Sequence, residues 1–338
     1  MTNRDQAMTL NRRLFLSTAS TGAALGLFAP AVLRAQDAKV YRLGITTPPG
    51  HTWNVAAEAM GARLAEETGN RLTLQVFPSN QLGNEGAMLQ QMQSGALDLA
   101  WIMTAELGSR IPQIAAINAP WLVPTTEKVG ALVRHPIAMK LLEVLPAETG
   151  TIGLGWGITT LRVVFTGKET TGIDDLNGMK LRINTTPAYR DFFQILGAAP
   201  TPIPTPQVFD AMSNGQVDGL EADLDFSWNQ RFDTVSKTML RLNALFMPCV
   251  ALASGRVWQG VPEADRELIA RLTREELDKQ IDGVVANEAT LLQNFRDTGI
   301  KVVDVDLDNT AEIIGKWDEI WLPKAPILTE LRETAATL

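Results

Sequence analysis

The 338-residue chain has one cysteine and two histidines. A lone Cys249 excludes an internal disulfide, a paired-cysteine metal site, c-type haem attachment and dithiol redox chemistry. A chain with about 300 residues beyond its N-terminal segment buries enough core to do without disulfides even in an oxidising compartment. His51 and His135 stand far apart in sequence, with no second His or Cys nearby. His135, in Leu132-Val133-Arg134-His135-Pro136, reads as an exposed residue at a helix end. No Gly-x-Ser-x-Gly nucleophile elbow occurs. Gly153-Leu154-Gly155-Trp156-Gly157 is glycine-rich, but no helix with a correctly spaced third glycine follows, so it is not a dinucleotide site. Asp304-Val305-Asp306-Leu307-Asp308 begins like a calcium loop, yet Asn309 and Gly315 stand where Gly and Glu are required; an alternating solvated strand face accounts for it better. The chain therefore lacks the chemistry of an enzyme, and no cofactor and no metal is expected.

What is present begins at the N-terminus. Arg12-Arg13 precede Leu14-Phe15, and a moderately apolar stretch, Leu14 to Leu33, runs to small residues at Ala29-Pro30-Ala31 and Ala35. That order is an export signal, and the paired arginines specify the twin-arginine route. Ser17, Thr18, Ser20, Thr21, Gly22, Gly26 and Pro30 make the stretch too polar and broken for a membrane span. Residues 1–35 are thus read as a twin-arginine signal peptide, cleaved after Ala31 or Ala35. No later segment is apolar enough to span, so a periplasmic protein without stable membrane insertion is expected. Residues 1–35 carry a net +3, so the −8 of the whole chain becomes −11 for the remainder. An acidic chain without Lys/Arg clusters argues against nucleic acid or anionic lipid as a partner. With 45% apolar and 20% charged residues the chain is globular, and its length suggests two domains.

From residue 39 short apolar runs alternate with helical patterns. Val40–Ile45 alternates as a strand, Trp53–Glu67 reads as a helix closed by Gly69, and Leu72, Leu74 and Val76 form the next strand. Asn84 caps a helix carrying Met88, Leu89 and Met92 with Gly95 past its end, and Leu97–Ile102 is a further strand. The same grammar restarts near Thr160. Leu161–Phe165, Lys180–Ile183 and Val217–Leu220 read as strands, Ala188–Leu196 and Gln207–Ser213 as helices. This alternation predicts an α/β protein with mostly parallel sheets in two units. Pro262 then opens a long helix whose apolar face includes Leu268, Leu272, Leu277, Ile281, Val284, Leu291 and Phe295. About 30 helical residues span about 45 Å, enough to lie across both units.

Five segments form an ordered set: Gln81-Leu82-Gly83-Asn84-Glu85-Gly86; Gln93-Ser94-Gly95-Ala96-Leu97-Asp98; Gly157-Ile158-Thr159-Thr160-Leu161-Arg162; Asp175-Leu176-Asn177-Gly178-Met179-Lys180-Leu181-Arg182; and Val217-Asp218-Gly219-Leu220-Glu221. In that order and spacing they resemble the substrate-binding proteins of tripartite ATP-independent periplasmic (TRAP) transporters, the C4-dicarboxylate-binding (DctP-like) family, over roughly residues 39 to 330. The resemblance implies a two-domain periplasmic solute-binding-protein fold with a ligand cleft between the domains and a long domain-spanning helix. Domain I is expected at residues 39–159 plus about 248–287, domain II at 160–247 plus about 288–338. The expected partners are a small carboxylate and the membrane subunits of a TRAP transporter. A twin-arginine-exported periplasmic enzyme, or a receptor reporting to a membrane sensor, are the competing readings.

In the resemblance Arg182 is the carboxylate-gripping arginine, matching the last position of L-x-G-x-K-x-R, and Arg162 is its assistant. A guanidinium offers two parallel donors to the two carboxylate oxygens and stays charged when desolvated. Arg182 also stands at a strand end, where α/β folds place ligands. Many members read Asp-Gly-x-Glu-Asn where this chain has Asp218-Gly219-Leu220-Glu221-Ala222. Met103 stands where sugar-acid binders carry an acidic residue, and Thr205 where they carry Phe. These changes favour a smaller or partly apolar acid over a sialic-acid-like one. Glu221, Asp223, His51 and Trp53 complete the expected ligand shell. Trp101, Trp156 and Trp228 are divided between cleft and core.

Overall fold

The computed structural model describes residues 38–305 and 310–338. The signal-peptide residues, and Asp306, Leu307 and Asp308 of the calcium-loop look-alike, lie outside them. The described residues form eleven strands: β1 (Lys39–Ile45), β2 (Leu72–Phe77), β3 (Leu99–Met103), β4 (Thr151–Gly157), β5 (Val163–Thr166), β6 (Lys180–Ile183), β7 (Ala199–Pro202), β8 (Gly219–Ala222), β9 (Thr238–Arg241), β10 (Cys249–Ser254) and β11 (Lys301–Asp304). They make a five-stranded sheet, β2-β1-β3-β10-β4, and a six-stranded sheet, β11-β9-β5-β8-β6-β7. Helices pack on both, giving two α/β lobes, here called I and II.

Most strands of each sheet run in one direction, as the alternation suggested, with a single strand in each running against the rest. In lobe I, β10 runs antiparallel to both β3 and β4; in lobe II, β5 runs antiparallel to both β8 and β9. The reason lies in the connections. β5 reaches lobe II from β4 of lobe I, and β10 returns from β9 of lobe II. A strand entering from the other lobe starts at the side where its neighbours end, so it must run against them. The sequence periodicity shows a strand but not the side from which it enters.

Both lobes use one local device. Gly95 (φ 80°) ends the helix Glu85–Ser94, and three residues later Asp98 accepts from the Arg42 N–H of β1 at 2.8 Å. Gly215 (φ 67°) follows the helix Val208–Ser213, and three residues later Asp218 accepts from the Lys180 N–H at the start of β6 at 2.8 Å. Glycine takes the left-handed turn without a Cβ penalty. The aspartate then ties the incoming strand to its parallel neighbour.

The long helix (Glu263–Asp297, 35 residues) has a length of about 52 Å at 1.5 Å per residue. Near its middle Leu277 packs on β4, and near its end Phe295 lies 5.3 Å from Phe165 and 5.4 Å from Trp228 in lobe II. It therefore bridges both lobes. The glycines of β4 make this possible: a Cβ at Gly155 would stand 3.2 Å from Leu277 Cδ1, and one at Gly157 only 2.8 Å from Cys249 Sγ and 3.1 Å from Leu277 Cδ2. The glycine-rich strand is a packing surface. Buried Gln280 fastens the helix to the first crossover, accepting from the Ile158 N–H (3.1 Å) and donating to the Ile158 carbonyl (2.8 Å).

Candidate functional site

The residues just past the C-terminal ends of β1, β3, β6 and β8 converge with the residues just before β5 and β10. Strand ends collect ligand groups because side chains leaving a sheet there are fixed at the root and face open space. A narrow cavity of about 30 Å³ lies between the lobes, lined by Thr47, His51, Trp53 and Met103 from lobe I and by Arg162, Asn184, Thr205, Asp223 and Phe226 from lobe II, with Thr159 and Met247 from the crossovers. That is room for about two water molecules.

A buried ionic cluster forms part of this wall and extends behind it. Arg162, 6% exposed, binds Glu221 through Nε, Asp223 Oδ2 through Nη1 (3.3 Å) and the Glu221 carbonyl through Nη2 (3.3 Å). Arg182, 1% exposed, donates to the Ile203 carbonyl (3.0 Å), the Glu221 carbonyl (3.4 Å) and Asn184 Oδ1 (3.1 Å), with the Glu221 carboxylate at 3.8 Å. Glu221 accepts twice from Asn184 as well, from its backbone (3.0 Å) and its amide (3.2 Å). Asp223 has a second task as the N-cap of the helix Leu224–Asn229, accepting from the Phe226 N–H at 2.9 Å. Gly219 admits this arrangement, since a Cβ there would stand 2.6 Å from the Phe165 carbonyl oxygen of the neighbouring β5.

The two arginines differ electrostatically. Burial acts against the Arg162 charge, but Glu221 and Asp223 outweigh it, and its pKa is raised. Burial pulls Arg182 down to about 10, with Glu221 only partly compensating and Arg162 adding repulsion. Both remain cationic at neutral pH. Arg162 is matched by two carboxylates, whereas the partners within hydrogen-bonding distance of Arg182 are neutral.

His51 is the N-cap of the helix Thr52–Glu67, its Nδ1 accepting from the Trp53 N–H at 3.2 Å. Its Nε2 faces Asp225 Oδ2 of lobe II at 3.5 Å. The Trp53 indole donates to the Ile158 carbonyl at 2.8 Å. Met103 is held by Glu85, whose carboxylate accepts from the Met103 N–H at 2.7 Å. Although part of Glu85 reaches solvent, crowding around its carboxyl pushes the pKa up to about 8.

All eight expected residues thus fall in one place, but at two depths. His51, Trp53, Met103, Arg162, Thr205 and Asp223 line the cavity. Arg182 and Glu221 lie one layer behind, with Asn184 between Arg182 and the cavity. Trp101 and Trp156 are core residues, 2% and 3% exposed. Trp228 packs against Phe295. Sequence reasoning missed Asn184, Asp225, Phe226 and Met247; a hint for Asn184 was its place two residues past Arg182 at the same strand end.

The family model for bacterial extracellular solute-binding protein, family 7 (DctP) matches residues 43–324. The chain belongs to this family. It is a TRAP-type solute-binding protein and not an enzyme. It is similar to the sialic acid-binding periplasmic protein SiaP of Vibrio cholerae, 25% identical over 85% of this chain and 89% of that one. It is also similar to the 2,3-diketo-L-gulonate-binding periplasmic protein YiaO of Escherichia coli, 24% identical over 86% and 87% of the two chains. Among solved structures, a TRAP periplasmic solute-binding protein from Polaromonas bound to D-erythronate superposes with a TM-score of 0.81 at 26% identity, covering 87% of this chain and 98% of that one. In this TRAP protein no described helix is long and apolar enough to cross a membrane.

Proposed function

We propose that the protein is a periplasmic receptor that captures a small monocarboxylate between its lobes and delivers it to the membrane subunits of a TRAP transporter. The observation that carries this reading is buried Arg162 on the cavity wall with Arg182 one layer behind it, beside an apolar part of the wall made by Trp53, Met103, Phe226 and Met247. Relatives carry names or bound ligands that are acids of this size or larger, sialic acid, diketogulonate and D-erythronate among them. The apolar walls favour a short or partly apolar acid. Arg182 is the anchor, because its charge is the less neutralised of the two; the ligand carboxylate takes the place that Asn184 Oδ1 holds on its guanidinium. Arg162 assists from the cavity wall. The lobes, residues 39–159 plus about 248–287 and 160–247 plus about 288–338, close over the acid.

The test is calorimetry with the acid that most raises the melting temperature in a panel including D-erythronate. Loss of one partner of a buried charge pair costs about 2–5 kcal/mol, roughly 30- to 5,000-fold in affinity. Arg182→Ala is expected in that range, Arg182→Lys between it and wild type, and Arg162→Ala above Arg182→Ala in affinity. Melting temperatures without ligand separate a binding role from a structural one. An Arg182→Ala protein binding within about threefold of wild type, below about 1 kcal/mol, means the anchor lies elsewhere.

Delivery outside the cytoplasm rests on Arg12-Arg13. Replacing both with Lys is expected to leave precursor in the cytoplasm; normal periplasmic accumulation of that variant rules out the twin-arginine route.

A further inference from the structure

The fixed charges around the cavity leave a surplus of one sign. Arg162 and Arg182 are offset by Glu221 and Asp223, and Asp225 adds a third carboxyl at the cleft. An incoming carboxylate would be a fourth. Closing a poorly hydrated cleft over four acids and two guanidiniums is unfavourable unless a proton enters with the ligand.

Asp225 is placed to receive it. It sits on the lobe II helix Leu224–Asn229, yet its Oδ2 is held from lobe I, by the Thr52 N–H (3.2 Å) and by His51 Nε2 (3.5 Å). Its Oδ1 accepts from the Asn229 amide at 3.2 Å. The His51 Nδ1 is occupied as the cap of the Trp53 N–H, so a proton placed on that atom would break the cap, and Nε2 is the atom that faces Asp225. Protonation of Asp225 on Oδ1 needs only a turn of the Asn229 amide to present its oxygen, and leaves both lobe I contacts in place. The groups facing Asp225 are His51 and the Thr52 N–H from lobe I, and Asp223 and Asn229 from its own segment. From the long helix, Gln280 donates to Thr52 Oγ1 at 3.1 Å, and Lys279 in the same groove is paired with Glu276 at 2.7 Å.

Resting on the acid-receptor reading, we propose that capture of a monocarboxylate is coupled to uptake of a proton by Asp225, so that the proton is a second ligand of the closed cleft. Burial already lifts the Asp225 pKa above the usual carboxyl range; His51 opposes this and Asp223 adds to it. A further negative charge and tighter closure raise it again. By reciprocity the proton then strengthens acid binding. Affinity is highest at low pH and falls as pH rises through the window between the free and the liganded Asp225 pKa, approaching tenfold per pH unit at full coupling.

The experiment is calorimetry of D-erythronate binding near pH 6, where the free acid is ionised, in buffers of low and high ionisation enthalpy. If D-erythronate gives no heat, the strongest stabiliser from the acid panel replaces it. The slope of heat against buffer enthalpy counts protons. Wild type is expected to take up between about 0.3 and 1 proton per acid, and Asp225→Asn close to none, with an affinity that no longer falls with pH. Binding with zero slope in wild type overturns the coupling while the acid-receptor reading stands. Undiminished uptake in Asp225→Asn overturns the assignment to Asp225. If no acid in the panel binds, the acid-receptor reading itself falls, and this inference with it.

Discussion

Arg162 and Arg182 share Glu221, yet one is surrounded by carboxylates and the other mainly by carbonyl and amide oxygens. Residue type alone does not distinguish such arginines; their difference arises from which atoms the folded backbone presents to each. The family resemblance matches Met103 and Thr205 to ligand-lining positions of sugar-acid binders, and both stand on the cavity wall. Asp225 carried no signal, because its role depends on Thr52 and His51, more than 170 residues earlier in the chain. Glu85 shows the same dependence and yields a prediction. With a folded pKa of about 8 against an ordinary 4.5, it binds its proton more tightly in the native state. Its contribution is therefore least unfavourable at low pH, and native stability falls as pH rises from about 4.5 towards about 8. Glu85→Gln keeps an acceptor for the Met103 N–H and removes the titration. Urea unfolding at pH 5 and pH 8.5 is expected to show the variant more stable than wild type only at the higher pH, by on the order of 1–2 kcal/mol. Equal pH slopes for the two proteins would mean the carboxyl is better hydrated than its surroundings imply.

Among the elements, the helices were legible because their signals are local. Asn84 accepts from the Ala87 N–H at 2.9 Å as an N-cap, Gly95 closes the same helix, and the long helix begins directly after Pro262. Strand limits were less so: β5 begins at Val163 and β8 at Gly219, each two residues later than the apolar runs suggest. In β8, Gly219 enters the strand for lack of a side chain, against the low strand propensity of glycine. The glycines of β4 are similarly explained by what crosses them. Gly157→Ala would press a methyl against Cys249, Leu277 and Trp53 at 2.8–3.2 Å. Overpacking of this kind costs about 1–3 kcal/mol. The melting temperature is expected to fall, and acid affinity with it because Trp53 lines the cavity. An unchanged melting temperature would show that this layer yields more easily than its distances indicate.

At the scale of the molecule, two lobes are joined by the two extended crossovers and by the long helix, with Gln280 fastening the helix to one crossover at Ile158. At the mouth of the cleft Asp225 meets Thr52 and His51, while away from the mouth the lobes share apolar packing, with Trp121 5.4 Å from Phe192 and the helix Ile327–Thr337 returning against lobe I, where Arg332 donates to the Pro120 carbonyl at 3.2 Å. Such a design leaves the hinge firm and the mouth easily separated. Small-angle scattering is expected to give a smaller radius of gyration with saturating acid than without. An identical profile at confirmed saturation would exclude closure on this scale.

The sequence by itself determined the α/β class and the long bridging helix, while the expectation that residues as distant as His51 and Glu221 share one patch came from the family resemblance. Caps, periodicity and ordered short motifs are local, and local interactions write themselves into adjacent residues. The tertiary structure alone decided that β5 and β10 run against their neighbours, that Arg182 stands behind Asn184 while Arg162 meets the cavity, and that Asp225 closes on the opposite lobe. Each of these depends on which distant backbone atoms arrive at a given point. Long-range packing and a shared low-dielectric interior set that arrangement, and no stretch of neighbouring residues encodes it.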